Sequence, residues 1–495
     1  MMGPGSGYIP FGPAVGGDEG LPQLDSPYQF NTIDDFRKAV TAGYGTDVAT
    51  LTGGASLRLQ SIEPTLLRTI QEDDHFVFFN KIVQSPAGAT VDEFTVKSAI
   101  GGFPGSGFNS EMGTIAETQG TYARQVGLVK YLMTKRQVSV VQQSQRTLVD
   151  TMAEEKIDAA RELKTSVEWA CFYGNSTVNP LEFDGLQHVI ETTADPDLIQ
   201  DAQGAGLSYV AKEIIDLAAA VASYGRFGRI TDLFSSFQVQ SDELDQKLDP
   251  AFRVVAGGNG GEGGMRIGTP VAGVKTSHGI IKTNQDVFIQ EGQMPFQVRP
   301  GPFPGITTAP GAPTPPTAVA GTVALDPLSL FTAAMAGNYY YGVESISQLG
   351  RSTVVVTTQQ VIAAGDHVSL AITNPVDPTV TGYAIYRGRK NGTNAPTDLR
   401  EMCRIPITAG ATTTYVDLNQ YVPGSSILFL VNMAPGALAV TLRRLLPMTL
   451  FPLYPTSTAS RPWAQLFFCY LRIAKPKHIA MVKNIVPTNA VWKPY

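Results

Sequence analysis

The chain has 495 residues, too many for one ordinary core, so two or three domains are expected. Its apolar fraction is that of a folded globular protein, while 49 glycines and 34 prolines favour β-structure and long loops over helical bundles. A net charge of −6 with scattered basic residues argues against a protein that reads nucleic-acid sequence, and three distant cysteines support neither a disulfide framework nor a CxxC metal site.

Residues 1–60 are rich in Gly, Pro and polar residues and read as an arm that needs partners to become ordered. The start lacks the basic and apolar regions of a secretory signal, and no apolar run reaches the length of a membrane span. A protein kept in a reducing cytoplasm, or in an assembly built there, is therefore expected. From "FVFFNKIV" (76–83) the pattern turns to strands. "DEFTVKSAI" (92–100) and "TYARQVGLVKYLMTKRQVSV" (121–140) alternate and are able to pair. The stretch between them is too long for a tight hairpin, so a two-stranded excursion with a loose tip is expected to lie on a neighbour.

The clearest helix covers about 143–173, with Leu148, Met152, Ala159, Leu163, Val167 and Ala170 on one face and Gly174 as its stop. "EFDGLQHVIE" follows, then an amphipathic helix presenting Val210, Ile214, Leu217 and Val221 on one side. After "RITDLFSSFQVQ", Ser241 is placed to cap a helix over "SDELDQKL".

Chemical motifs are sparse. Gly258, Gly260 and Gly263 spell GxGxxG, but "MRIGTPVAGVKT" after them reads as β-structure, whereas a dinucleotide site needs a helix there, so the run reads as a surface loop. The five histidines show no zinc spacing, and Glu72-Asp73-Asp74 reads as a solvated charged turn rather than a cation site. No catalytic residue, cofactor site or metal ligand is expected, and the chain is not expected to be an enzyme.

Residues 300–317, "PGPFPGITTAPGAPTPPT", read as a semi-rigid linker with few contacts crossing it. Short punctuated strands follow: "NYYYGVESIS", "STVVVTT", "HVSLAIT", "GYAIYRG", "MCRIPI" and "TTTYVDL". Their spacing suggests a small sandwich, with Val368, Leu370 and Ile372 facing in and Asn391-Gly392 marking a hairpin. "AVTLRRLLPMTLFPLYP" and "LFFCYLRIAKPKHIAMVKNI" then return as apolar strands that need a larger sheet, so the sandwich reads as an insertion into a host domain.

The order of arm, two-stranded loop, long helix, Phe183-Asp184-Gly185-Leu186, amphipathic helix with "TDLF" and apolar C-terminal strands resembles the major capsid proteins of tailed bacteriophages, the Hong Kong 97 phage fold. "AGNYYYGVESISQLGRS", "GYAIYRG" and "TTYVDLNQYVPG" resemble a fibronectin type III or immunoglobulin-like domain. The resemblance implies an α+β chain divided as follows. Residues 1–60 are an N-terminal arm, 61–75 a peripheral-domain strand region, 76–142 the extended loop and flanking strands, and 143–204 the peripheral domain with its spine helix. Residues 205–299 are the axial domain, joined by 426–465, while 300–317 are the linker, 318–425 the inserted all-β sandwich and 426–495 the return strands.

It implies a structural subunit that self-assembles into hexamers and pentamers, an icosahedral virion head built in the host cytoplasm around double-stranded DNA. No sequence-specific DNA contact and no membrane are implied. Portal, a separate scaffolding protein and decoration proteins are the other implied partners. Phe103, Pro104, Phe108 and Met112 are the implied inter-subunit contacts of the extended loop, and Leu148, Met152, Leu163 and Val167 the core of the spine helix. An encapsulin-like compartment shell and a surface adhesin or glycan-binding protein are the alternatives.

Overall fold

A computed structural model describes residues 72–102, 107–115, 117–145, 150–193, 195–208, 211–248, 271–289, 313–347, 350–455 and 459–495, plus the backbone of two short strands at 254–255 and 266–267. These belong to one compact unit, Thr69–Tyr495. The fold is α+β. The predicted arm, Phe103, Pro104, Leu148, Val210, the GxGxxG glycines and residues 300–312 of the linker lie outside the described residues.

Two sheets make the host. A four-stranded sheet has the order Val83–Pro86, Val440–Pro452, Ser460–Ile473, Lys130–Ser139. A six-stranded sheet has the order Ile199–Asp201, Ile479–Ile485, Ser426–Val431, Asp232–Ser235, Gly279–Gln285, Gly273–Thr276. The return strands thus divide: 426–431 and 479–485 enter the larger sheet, whereas the long hairpin of 440–473 pairs with Lys130–Ser139. Residues 440–452 and 460–465 therefore lie in a different sheet from 426–431. Apolar content shows that a strand needs cover, not which sheet supplies it.

The spine helix runs over Thr151–Tyr173, not from 143; Val140–Ser144 is a separate short helix with its own cap, Ser139. Asp150 explains the start, since its carboxylate accepts hydrogen bonds from Met152 N at 3.0 Å and Ala153 N at 3.4 Å. Leu163 and Val167 are buried as expected and Met152 is half-buried. From Val167 to Tyr173 the helix is buried on every side, where Phe172 packs on Phe78 and Phe429.

The "FDGL" run closes the turn after this helix. Gly174 and Gly185 leave no room for a side chain, because a Cβ on either would collide with the Ala170 carbonyl. Asp184 accepts the Ser176 amide at 2.9 Å, and fully buried Leu186 opens the helix Leu186–Thr192. Lys212–Ala222 covers the six-stranded sheet with Ile214, Leu217 and Val221, all fully buried. Ser241 does not cap a helix. Ser236 caps the turn one step earlier by accepting from Val239 N, and Ser241 lies inside a π-helical stretch, Gln240–Asp245.

Residues 318–417 form two main antiparallel sheets around one core, with a small third one pairing Gly337–Tyr339 and Gln360–Ile362. One joins Ala318–Leu325, Asp366–Thr373 and Thr412–Asp417; the other is built on Tyr341–Ser347, Val380–Arg387 and Arg400–Pro406. Val368, Leu370, Ile372, Tyr383 and Ile385 are fully buried between them. One expectation fails here, and one strand has no sequence signal. Asn391-Gly392 does not make a two-residue hairpin: Asn391 takes φ +54°, but the chain continues through a turn at Pro396–Asp398 before pairing resumes. The strand Ala318–Leu325 carries too much Ala and Gly to stand out by propensity, and is held by eight paired positions along Asp366–Thr373. The described end of the linker also packs, with Pro313 and Pro316 buried and Thr314 N donating to Asp377.

Candidate assembly surfaces

Among the described residues, Val91–Ala99 and Thr121–Leu128 pair only with each other, forming a two-stranded ribbon. A sheet of two strands has no second layer, so alternation cannot hide either face. Val91, Tyr122, Val126 and Leu128 are about half exposed or more, and at the far end Ile100, Phe108, Met112 and Ile115 are 85–97% exposed. Exposed apolar side chains in this number make the ribbon and its tip a candidate contact surface. Of the four predicted loop contacts, the structure places Phe108 and Met112 at the tip.

The ribbon's root is fastened. Arg443 grips Asp92 through two hydrogen bonds, Nε to Oδ2 at 2.8 Å and Nη2 to Oδ1 at 3.0 Å, and its third nitrogen donates to Ser85. The Tyr470 hydroxyl donates to the same carboxylate at 2.5 Å. The Arg443 guanidinium, with help from that hydroxyl, holds the Asp92 carboxyl below its usual range. Gly127 passes over the Tyr470 ring with no space for a side chain, and Arg472 lies 5.5 Å from the Phe94 ring centre. Ribbon, sheet and the helix Leu186–Thr192 enclose an open groove of about 410 Å³ lined by Phe94, Leu128, Phe183, Val189 and Tyr470. Arg443 is an internal clamp, and local sequence gives no sign of it because its partner Asp92 lies 351 positions away.

The four-stranded sheet is covered on one face by the spine helix, where Arg136 bridges Glu155 at 2.7 Å and Glu162 at 2.9 Å. On its opposite face Tyr131 and Met133 stay more than half exposed.

Two buried carboxyls meet inside the core. Glu168 is fully buried on the spine helix, accepting the amides of Phe78 at 2.7 Å and Phe79 at 2.8 Å. Equally buried Asp286 faces it, and burial pushes both carboxyls above their ordinary range, the like charge adding to the shift at Glu168. The pair joins three segments from inside the core. The Cys171 and Cys469 thiols are buried and pushed up by that burial, so neither is an activated nucleophile. Among the described residues no cluster of His, Cys, Asp or Glu is placed to hold a metal ion.

No protein-family model matches the chain. It is 26% identical over 461 residues to a capsid protein of Enterococcus phage phiEF24C, covering 90% of this chain and 94% of that one. It is 24% identical over 482 residues to the major capsid protein of Staphylococcus phage S25-3, covering 94% and 98%. Among solved structures, the capsid of a native GTA particle aligns at 9% identity with a TM-score of 0.46 over 89% of this chain and all of the other. The SrpI encapsulin of Synechococcus elongatus PCC 7942 aligns at 9% identity with a TM-score of 0.42 over 91% and all of the other.

Proposed function

We infer that this chain is the major capsid protein of a tailed bacteriophage, a structural subunit on the Hong Kong 97 plan that associates with itself to form the shell of the virion. The observation that carries this is similarity to phage capsid proteins along nearly the entire length of both chains. The exposed ribbon fits it: a plate that closes a shell only with neighbours keeps apolar surface that it cannot bury alone.

In this reading the ribbon and its tip, 100–120, lie across an adjacent subunit. The four-stranded sheet with the spine helix is the peripheral domain, and the six-stranded sheet with Lys212–Ala222 is the axial domain around which hexamers and pentamers close. The immunoglobulin-like sandwich stands on the outer face. Assembly takes place in the host cytoplasm, around double-stranded DNA held without sequence-specific contacts, with a portal and a separate scaffolding protein. A chain of net charge −6 suits a wall that encloses DNA without gripping it.

The test is expression of the full chain, alone and with a candidate scaffolding protein, followed by electron microscopy. Closed icosahedral shells support the reading, and chains that never form rings or shells under either condition refute it. Particles from the native source separate a phage head from a protein compartment: double-stranded DNA inside is expected, and an enzyme cargo without DNA would favour the compartment.

A further inference from the structure

The C-terminal segment leaves the six-stranded sheet after Ile485 and crosses to the sandwich. Its first part is tied to the host. Val486 N donates to Ala205 O at 3.0 Å, and the Thr488 amide and hydroxyl both donate to Glu243 Oε1 at 2.7 Å. Glu243 is fully buried in the π-helical stretch, where Lys247 Nζ donates to its other oxygen at 2.5 Å.

From Ala490 the tail alternates. Ala490, Trp492 and Pro494 are buried while Val491 and Lys493 face out. An extended strand lying on a surface has this period of two. Ala490 packs with Val422 and Val486, and from Trp492 onward the tail meets the sandwich. Trp492 Nε1 donates to Asp398 Oδ1 at 3.1 Å with the Arg400 guanidinium 4.9 Å over its ring, and Pro494 O accepts the Lys390 amide at 2.8 Å. The Tyr495 hydroxyl donates to Asn419 at 2.6 Å and receives Arg387 Nη2 at 3.3 Å. Arg387 is fully buried, paired with Asp417 at 2.6 Å and stacked on Phe331 and Tyr339. Against the other side of the Tyr495 ring lies Gly204 of the host, at φ +83°, where a Cβ would come within 2.9 Å of the ring.

We propose that residues 486–495 are a strap that fixes the orientation of the sandwich on the host domain, by inserting Trp492 and Tyr495 into the sandwich while Thr488 stays anchored on Glu243. The sandwich is then a rigid mount rather than a module swinging on a proline-rich tether. A second attachment works with the strap. Val178 of the host is buried among Ile346, Ala384, Tyr386 and Leu399, and Arg404 stacks 4.5 Å over Trp169. The strap acts within one chain, so it stands whether or not the chain builds a shell.

The Lys390 amide reports the strap directly, because its acceptor is Pro494. Hydrogen exchange is measured on the soluble full-length chain, on a chain lacking 491–495, and on Tyr495→Phe. Deletion is expected to speed exchange in the segment 387–391 at least ten-fold, with Val343 and Ile385 of the sandwich core unchanged. Tyr495→Phe, which keeps the ring and removes only the hydroxyl, is expected to speed it about three-fold. Val491→Asp, on the outward side, is expected to change nothing. Unchanged exchange at 387–391 in the deletion overturns the strap. If the deletion yields no soluble chain, Tyr495→Phe decides, and unchanged exchange there overturns it equally. Acceleration that spreads through the sandwich core also overturns it, since the tail would then be part of that core.

Discussion

The sandwich and the ribbon depart from the apolar-inside rule in opposite directions. The sandwich buries charge. Arg387 meets Asp417, and Arg351 meets Glu344 at 2.6 Å and Glu401 at 3.0 Å, with all five side chains 7% exposed or less. The ribbon exposes Val126, Leu128, Ile100, Phe108 and Met112 to water. Buried charges persist only where partners satisfy them, and the sandwich supplies its partners from its own strands and the strap. Exposed apolar residues are the mark of a surface that can be covered by something else, and among the described residues the outer face and tip of the ribbon have no cover. The first region finds its partners within the chain, and the second leaves apolar surface in water.

The largest effect that sharpens this contrast is expected from Arg387→Ala. It leaves Asp417 buried without its cation, at a cost of about 3–5 kcal/mol. Chemical denaturation followed by near-ultraviolet circular dichroism should show the loss, and a cost under about 1 kcal/mol would mean the network is ornamental to the sandwich. At the ribbon's root, Arg443→Ala removes a bidentate grip on Asp92 and should cost about 2 kcal/mol. Limited proteolysis should cut faster within 100–120 while the spine helix stays protected; unchanged cutting would show that Tyr470 and Arg472 hold the root alone.

A smaller effect separates paired from like charges. Glu168 and Asp286 hold a proton above the ordinary carboxylate range because they are buried together. A carboxyl whose folded pKa is raised contributes stability below its unfolded pKa, and that contribution is lost as pH rises through the folded value. Asp286→Asn keeps the acceptor for Phe288 N and turns a repelling oxygen into a donor toward Glu168. The variant should gain on the order of 1 kcal/mol at pH 8 relative to the parent, and the gain should shrink toward pH 4. Equal stability differences at both pH values would show that the pair carries no shared proton. The smallest effect on folding belongs to Phe108→Ser with Met112→Ser, within about 0.5 kcal/mol, because both side chains already face water. Their effect on assembly should be large, seen as particles lost from a sedimentation profile; normal shells would remove the tip from the interface.

What could be read in advance follows sequence range. Leu163 and Val167 at helical spacing, Ile214 to Val221, and alternation from Val368 to Ile372 are local patterns, and the structure buries them as periodicity demands. The cap at Asp150 is hidden by the apolar spacing of Leu148 and Met152, which runs straight through it. The ribbon root, the acid pair and the strap were not legible, because each joins segments brought together only by the fold. Asp92 meets Arg443, Glu168 meets Asp286, and Thr488 meets Glu243 across 245 positions. Even apolar strands withheld their partners: nothing local told Val440–Pro452 to join Lys130–Ser139 through Ser460–Ile473 rather than Ser426–Val431.

The most direct test of the claim that association completes the ribbon is oxidation of Met112, 97% exposed in the single chain. Mild peroxide converts an accessible methionine thioether to its sulfoxide, which peptide mass spectrometry counts. Free subunits and assembled particles are treated side by side, with half-buried Met152 as the internal reference. The account predicts rapid oxidation of Met112 in the free chain and at least ten-fold protection in particles, with Met152 little changed. Equal oxidation of Met112 in both states would contradict it, leaving the tip in water and the ribbon without an assembly role.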